Sequence, residues 1–166
     1  MITQIRLIPL DVAAIAEILD DLEQFEAHSG ISAETNRTVL IEVARQTGEM
    51  LRVGGVQPPW CGYLAVNQAT RMLVGTCGFK GAPTEEGIVE IAYFTFPEGE
   101  RRGYATEMAY SLTAIARGSS QVRKIVAHTQ PERGASTRVL EKIGMYLEGE
   151  VTDPEDGRVW RWELSL

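Results

Sequence analysis

The segment from residue 88 to residue 117 constrains the fold more than any other part of the sequence. It begins with IVEIAYFTF, a β-prone run that Pro97 ends, and continues through PEGERRG into YATEMAYSLTAIAR. The first run predicts a strand over 88–96, and the last predicts a helix over Tyr104–Arg117. A strand, a short loop with glycines and a helix in this order indicate a fold in which helices cover a sheet.

The loop between these two elements permits two interpretations. The first N–H groups of a helix have no partner within the helix, and the helix dipole adds positive charge there. Gly103 has no Cβ and would let an anion approach the backbone, while Arg101 and Arg102 add mobile positive charge. The other interpretation is a polar turn with solvated arginines. Because neither GxGxxG nor GxxxxGK[ST] occurs, the spacing alone leaves both open.

The rest of the chain supplies further strands and helices. Before the 88–117 segment, the patterns predict a strand over 4–9, helices over 11–26 and 33–47, a loop over 48–60, and strands over 61–67 and 72–80. After it, they predict a strand over 123–129, a helix over 135–143 closed by Gly144, and a strand pair joined by DPEDG. This order predicts one α/β (α+β) domain over residues 1–166 with a mixed central sheet.

The charge and the rarer residues limit the class of partner. The formal net charge is −7, which argues against nucleic acid as a partner and suits a cationic acceptor such as an amine. Two cysteines without CxxC spacing and two histidines without ligand spacing predict reduced thiols and no metal site. The first residues do not resemble a signal peptide, and no apolar run is long enough to cross a membrane. We therefore expect a cytoplasmic protein without a membrane partner.

Residues 88–108, IVEIAYFTFPEGERRGYATEM, resemble the acetyl-CoA-binding segment of the GNAT N-acetyltransferase superfamily, in its RimJ/RimL-like branch. That family carries a Q/R-x-x-G-x-G/A signature, which here falls on residues 100–105. Gly103 and Ala105 match the signature, whereas Glu100 stands where glutamine or arginine is usual. The resemblance implies that backbone amides at 102–105, assisted by Arg101 or Arg102, hold the phosphates.

A second segment, AHTQPERGASTRVLEKIGM (127–145), is similar to the family pattern T-x-P-E-N-x-A-S-x-R-V-L-E-K-x-G-F. Arg133 replaces the usual asparagine, which contacts the CoA arm in that family, and Met145 replaces the usual phenylalanine. Many family members also carry a tyrosine proton donor where this chain has Leu140. The resemblance covers residues 60–166 well and the first 60 residues less well.

The resemblance implies a GNAT-like fold, with a mixed, mostly antiparallel sheet of about seven strands that splays in the middle and about four flanking helices. It implies an N-acetyltransferase that moves an acetyl group from acetyl-CoA to a primary amine by direct attack. The acceptor would be a protein N-terminus or a small molecule. The alternative is a non-catalytic acyl-CoA-binding sensor or interaction module. The oligomeric state is open, and a homodimer is compatible with the family.

The resemblance also implies the site residues. The implied cofactor-binding residues are Phe94, Thr95, Phe96, Arg101, Arg102, Gly103, Tyr104, Ala105, Thr106, Arg133 and Ser136. Glu90 is the candidate base because a carboxylate inside an apolar strand is costly unless it has a role; the alternative is a solvent-facing strand position. Ser136 is the candidate acid, and its alternative is a helix-capping serine. At least one of Phe94 and Phe96 is expected in the core, and Glu107 is expected to be structural.

Overall fold

The computed structural model describes residues 4–166, which form seven strands and five helices. The strands are β1 (Ile5–Pro9), β2 (Gly62–Asn67), β3 (Leu73–Phe79), β4 (Ile88–Thr95), β5 (Lys124–Thr129), β6 (Tyr146–Asp153) and β7 (Gly157–Ser165). The helices are α1 (Val12–Asp20), α2 (Leu22–Ser29), α3 (Arg37–Gly54), α4 (Tyr104–Arg117) and α5 (Ala135–Lys142). Single 3₁₀ turns at Glu34–Asn36 and Pro97–Gly99 precede α3 and follow β4.

All seven strands join one sheet in the order β1-β2-β3-β4-β5-β7-β6. Every neighbouring pair is antiparallel except β4 and β5, which are parallel. That parallel pairing covers only the pairs 88–124, 89–125 and 90–126, although β4 continues to Thr95 and β5 to Thr129. The predicted mixed sheet of seven strands, splayed in the middle, is therefore confirmed.

Each face of the sheet carries its own hydrophobic core. On one face, Met108 and Leu112 of α4 and Leu140 of α5 are fully buried with Val89 and Ile91 of β4. The other face holds a second cluster with members on α1, α2 and α3, namely Ile15, Ile18, Phe25, Leu40 and Ala44, together with Leu64 and Phe96. Because side chains alternate along a strand, successive residues of β4 point to opposite faces of the sheet.

The predicted helix over 11–26 is wrong in one respect, because the structure divides it at Asp21. The backbone of Asp21 is extended, and its side-chain oxygen accepts a hydrogen bond from the amide of Gln24 at 3.0 Å. Asp21 therefore caps a new helix, as aspartate commonly does. Ile18 and Phe25 lie in the same core cluster, one on each side of the break. The apolar periodicity therefore continued across it.

The predicted helix over 33–47 and loop over 48–60 also need correction. The α-helix begins at Arg37 and continues to Gly54, where Gly55 ends it in the left-handed conformation at φ 59°. Leu51 lies inside the predicted loop, yet it packs against both core clusters. These contacts, which no local pattern reveals, favour helix over the predicted loop. The other predicted elements agree with the structure within about two residues.

Candidate active site

The gap between β4 and β5 exposes main-chain groups of β4. The amide of Phe96 donates to the carbonyl of Val74 at 3.0 Å, so it faces β3. Because amide directions alternate along an antiparallel strand, the amide of Thr95 faces the opposite side, toward the gap. The resemblance implied Phe94, Thr95 and Phe96 as cofactor-binding residues; in the structure the amide of Thr95 faces the gap, whereas the amide of Phe96 is bonded to β3 within the sheet.

The loop that follows β4 leads into the uncapped start of α4. Gly103 has φ 86°, a left-handed conformation that glycine adopts without strain, and a Cβ built there would meet no heavy atom within 4 Å. No side chain caps this helix, and its first intrahelical bond runs from the amide of Glu107 to the carbonyl of Gly103 at 3.1 Å. The amides of Tyr104, Ala105 and Thr106 therefore lack intrahelical acceptors and suit an anion.

A groove of about 600 Å³ connects this loop with β4 and α5. Thr95 lines it, and the buried Oγ1 of Thr95 has no hydrogen-bond partner within the described residues 4–166. A buried hydroxyl without a partner is costly, so a ligand in the groove would satisfy it. Three basic side chains, Arg101, Arg138 and Lys142, also line the groove. The groove therefore fits an extended ligand with a polar arm and phosphates.

Three of the predicted cofactor-binding residues, Phe96, Arg102 and Arg133, do not line the groove. Phe96 is 1% exposed and belongs to the core, whereas Phe94 is 54% exposed and lines the groove. Arg102 is exposed and does not line the groove. Arg133 donates a hydrogen bond to Glu141 and its guanidinium lies 6.0 Å from the ring centroid of Trp160, so those contacts hold it outside the groove lining.

Ser136 lies in the groove lining near the start of α5 and is exposed. The helix is capped by Thr137 instead, whose Oγ1 accepts from the amide of Gly134 and donates to its carbonyl, each at 3.0 Å. Tyr93 also lines the groove, and its hydroxyl donates to the carbonyl of Ser136 at 3.2 Å. Burial raises the pKa of Tyr93, so the hydroxyl keeps its proton at neutral pH.

Glu90 forms a charged cluster on the face of the sheet opposite the groove. Its Oε1 atom lies 2.8 Å from Nζ of Lys80 and 2.8 Å from Nδ1 of His128. The side chains of Glu90 and His128 are 24% and 13% exposed. Burial lowers the pKa of Lys80, but the hydrogen bond to Glu90 and the negative charges of Glu90, Asp153 and Asp156 together raise it more, so the net shift is upward. The solvent-facing alternative for Glu90 does not describe this position.

Glu107 is structural, as predicted. It is 8% exposed, and its Oε2 accepts from the amides of Gln4 and Ile5 at 2.8 and 3.2 Å, which ties β1 to α4. The site residues that the sequence reasoning missed are Tyr93, His128, Arg138 and Lys142. The position of His128 beside Glu90 follows from the register of the sheet, because Glu90 opposes Val126 in a parallel pair and alternation places His128 on the same face, and the sequence alone does not give this register.

Comparison with known proteins decides the family. The family model "Acetyltransferase (GNAT) domain" matches residues 4–146. The chain belongs to the GNAT acetyltransferase family. This family uses acetyl-CoA, and the groove, with its uncapped helix start and unpartnered Thr95 hydroxyl, fits that molecule. Within residues 4–166, no group of three or more His, Cys, Asp or Glu side chains could hold a metal ion, and no helix is long and apolar enough to span a membrane.

Individual relatives of this GNAT domain match it over part of the chain or at low sequence identity. The uncharacterized N-acetyltransferase YjdG of Bacillus subtilis is 33% identical over 85 residues, and the match spans about half of each chain, 51%. The crystal structure of RimL, a ribosomal L7/L12 alpha-N-protein acetyltransferase in complex with coenzyme A, aligns with a TM-score of 0.68 at 14% identity, covering 99% of this chain and 95% of that one. The spermidine/spermine N-acetyltransferase SpeG of Vibrio cholerae aligns with a TM-score of 0.65 at 16% identity, covering 98% and 92%. These two structures share the fold.

Proposed function

We propose that this protein is an N-acetyltransferase that moves an acetyl group from acetyl-CoA to a primary amine by direct attack. The observation that carries the proposal is the gap between β4 and β5. Thr95 faces the groove on one side of this gap, while the Glu90 cluster lies on the other face of the sheet. A cofactor arm and an amine acceptor could therefore approach from opposite faces and meet in the gap.

The groove side would bind and orient acetyl-CoA, which supplies an activated thioester when bound. The unbonded amides of Tyr104–Thr106 and the side chains of Arg101, Arg138 and Lys142 provide positive charge for phosphates. The amide and the hydroxyl of Thr95 provide two donors for the polar arm, in the manner of an added strand. This assignment keeps the predicted Gly103 loop and replaces Arg133 with α5 residues.

The reaction needs a proton acceptor for the ammonium and a proton donor for the departing thiolate. The Glu90 cluster lies on the face of the sheet from which the amine would approach, and we propose that it accepts the proton of the ammonium. Ser136 is proposed as the donor, because Thr137 caps α5 and leaves the Ser136 side chain exposed in the groove lining. Tyr93 keeps its proton and hydrogen-bonds the Ser136 carbonyl, so it would hold that segment against β4.

The acceptor is proposed to be a cationic amine, either a protein N-terminus or a small molecule. The net charge of −7 favours approach of a cation. RimL, which shares the fold, is named for a protein N-terminal acceptor, and SpeG for a polyamine. A test of the acceptor therefore has to include both protein N-termini and small-molecule amines.

A second function, a non-catalytic acyl-CoA-binding module, is favoured by one observation. Leu140 is fully buried where many family members carry a tyrosine proton donor. A module of this kind would bind acetyl-CoA without releasing free CoA when amines are added.

The first experiment measures acetyl-CoA binding by titration calorimetry for the wild type and for Gly103→Glu. The added carboxylate fills the open space at the start of α4 and repels phosphate, so the Kd should rise about 100-fold, equivalent to roughly 2.7 kcal/mol. Gly55→Glu is the matched control, because Gly55 is also exposed, left-handed at φ 59° and without a heavy atom within 4 Å of its Cβ position. Equal losses in both variants, or no binding by the wild type, would contradict the assignment.

The second experiment measures release of free thiol from acetyl-CoA with a panel of N-terminal peptides, polyamines and amino acids. Turnover with at least one amine is the expected result. Binding of acetyl-CoA without thiol release across the panel would favour the binding module instead.

A further inference from the structure

The cluster of Glu90, His128 and Lys80 divides the proton-accepting role in a way that the sequence did not suggest. Both Lys80 and His128 contact the same carboxylate atom, Oε1 of Glu90, each at 2.8 Å. Oε1 of Glu90 therefore already accepts from an ammonium and an imidazole. This arrangement suits a carboxylate that holds its two neighbours in place rather than one that takes a proton from an incoming amine.

The same contact fixes the proton on the imidazole of His128. An ionised carboxylate can only accept, so Nδ1 of His128 must be the donor in the 2.8 Å hydrogen bond to Glu90. A neutral imidazole with its proton on Nδ1 carries a lone pair on Nε2. Within residues 4–166, the structure gives His128 no hydrogen bond other than the one through Nδ1.

The position of His128 places this imidazole at the gap. Glu90 and Val126 form the last paired position of β4 and β5, and His128 lies two residues farther along β5 on the same face. Its side chain is 13% exposed, so it is mostly desolvated yet remains reachable. A histidine here borders the opening in which the amine and the thioester would meet.

We infer that Nε2 of His128 is the general base of the proposed acetyl transfer, and that Glu90 is a positioning residue that holds the imidazole in its Nδ1–H form. This inference rests on the proposed function. The acceptor ammonium gives one proton to Nε2, the freed amine forms a bond to the acetyl carbon, and the carbon–sulfur bond breaks. Sulfur leaves with the electron pair and receives a proton from the Ser136 hydroxyl, which regains the second proton that the amine nitrogen loses, and the imidazolium releases its proton to solvent.

The surrounding charges set the expected pH dependence. Oε1 of Glu90 on β4 lies 2.8 Å from Nδ1 of His128, and Nζ of Lys80 lies 2.8 Å from the same oxygen. On β7, Arg161 is the register partner of His128, but it is paired with Glu163 at 3.0 Å and lies 3.8 Å from Glu148 of β6. Asp153, at the end of β6, interacts electrostatically with both Lys80 and His128.

The test compares pH profiles of kcat/KM, measured by free-thiol release with the best amine of the panel. The wild-type rate should rise with pH as the imidazole loses its proton. His128→Gln should remove that rise and lower kcat/KM about 10²–10⁴-fold. Glu90→Gln should keep the rise but move it to lower pH, whereas Lys80→Met should move it to higher pH. Acetyl-CoA affinity should stay within about twofold in all three variants, because none of the three residues lines the groove.

The chain supplies a matched control in its other histidine. His28 also contacts a glutamate through Nδ1, at 3.0 Å from Oε1 of Glu17, but its side chain is 78% exposed on α2. His28→Gln should leave the pH profile unchanged. It also leaves His128 as the sole histidine, so long-range ¹H–¹⁵N spectra of this variant report on His128 alone. They should show the neutral ring protonated on Nδ1.

The outcomes are distinct. A pH rise that survives His128→Gln but disappears in Glu90→Gln, or a ring protonated on Nε2, overturns the inference and leaves the proposed function standing. Acetyl-CoA binding without turnover by the wild type overturns the proposed function and the inference with it. Loss of the rise in His128→Gln, opposite shifts in the other two variants and the Nδ1–H ring establish the inference.

Discussion

The two faces of β4 differ in what holds them and in what they present. The groove face, covered by α4 and α5, has a closely packed apolar core, and within residues 4–166 the buried hydroxyl of Thr95 lacks a hydrogen-bond partner there. The opposite face, which packs against α1, α2 and α3, carries Glu90 paired with both Lys80 and His128. A buried polar group without a partner can be satisfied by a ligand, whereas a paired group is already held in one orientation. This difference supports our proposal that the groove face binds acetyl-CoA and that the opposite face carries the proton chemistry.

A substitution in β3 should disturb both faces of β4 at once and have the largest effect. Gly75 opposes Thr95, and a Cβ added to Gly75 would lie 2.3 Å from the carbonyl oxygen of Phe94. Gly75→Ala should therefore push β4 away and cost about 3 kcal/mol of unfolding free energy, near the upper range for overpacking. Urea denaturation measures the loss. The control is Gly134→Ala, where a Cβ meets nothing within 4 Å; equal stability of the two variants would contradict the clash.

A second change should separate the acceptor from the cofactor. Phe94 is 54% exposed at the border of the groove, and its ring contacts that of Phe96 edge-on at a centroid distance of 5.9 Å. Phe96 belongs to the core beneath α1–α3, so we expect the Phe94 ring to lie on the face from which the amine is proposed to approach. Phe94→Ala should raise the KM for the amine about tenfold, a loss of roughly 1.4 kcal/mol. Steady-state kinetics and calorimetry check this.

The Phe94→Ala substitution should affect acetyl-CoA binding less than it affects the amine. The Kd for acetyl-CoA should rise less than about threefold, since main-chain groups and basic side chains provide most of the proposed binding. A larger effect on acetyl-CoA than on the amine would place the Phe94 ring on the groove side of the gap.

A third substitution tests the groove face and should change protein stability and acetyl-CoA affinity in opposite directions. Thr95→Val replaces the unpartnered hydroxyl with a methyl group of similar shape. The free protein should keep its stability or gain slightly, because a buried polar group without a partner is removed. The Kd for acetyl-CoA should rise about fivefold, or roughly 1 kcal/mol, since a hydrogen bond is lost. Thermal unfolding and calorimetry measure the two effects, and Thr95→Ser should retain the wild-type affinity.

The same contrast explains which parts could be predicted from the sequence. The helix over Tyr104–Arg117 was predicted to the residue, because Gly103 and Gly118 mark its ends locally. The break at Asp21 was missed, since two successive helices bury apolar residues in one core and the periodicity continues. The extension of α3 to Gly54 depends on contacts of Leu51 with both cores, which are tertiary.

The site shows the same division. The loop at Gly103 is a local feature with a recognisable spacing, so it was found from the sequence. The contact between Glu90 and His128 joins residues 38 positions apart and depends on where β4 and β5 stop pairing. Register alone would have placed both on one face, but the divergence of the strands that makes the contact useful is a property of the whole sheet. Arg133 is the reverse case: the resemblance implied it as a cofactor-binding residue, whereas in the structure its guanidinium contacts Glu141 and Trp160 and does not line the groove.

The smallest predicted effect is a loss of stability in acid at the contact between α2 and α3. Glu26 of α2 accepts hydrogen bonds from Arg37 of α3 and from the amide of Ala33, and the Arg37 bond, opposed by burial, gives a net lowering of the pKa of Glu26 from 4.5. A carboxyl whose folded-state pKa is lowered stabilises the fold above its unfolded pKa and loses that contribution as pH falls through the folded value. Glu26→Gln should therefore cost about 1 kcal/mol at neutral pH, and the difference from wild type should shrink below pH 4.5.

Urea unfolding at several pH values, followed by fluorescence, measures this difference. Glu42→Gln is the control, because the pair of Glu42 with Arg45 on α3 is 51% and 63% exposed and such pairs contribute little. A Glu26→Gln cost that is independent of pH would mean that the side chain stabilises α2 and α3 through packing alone. A cost that disappears in acid would show that this face of the sheet is held partly by charge.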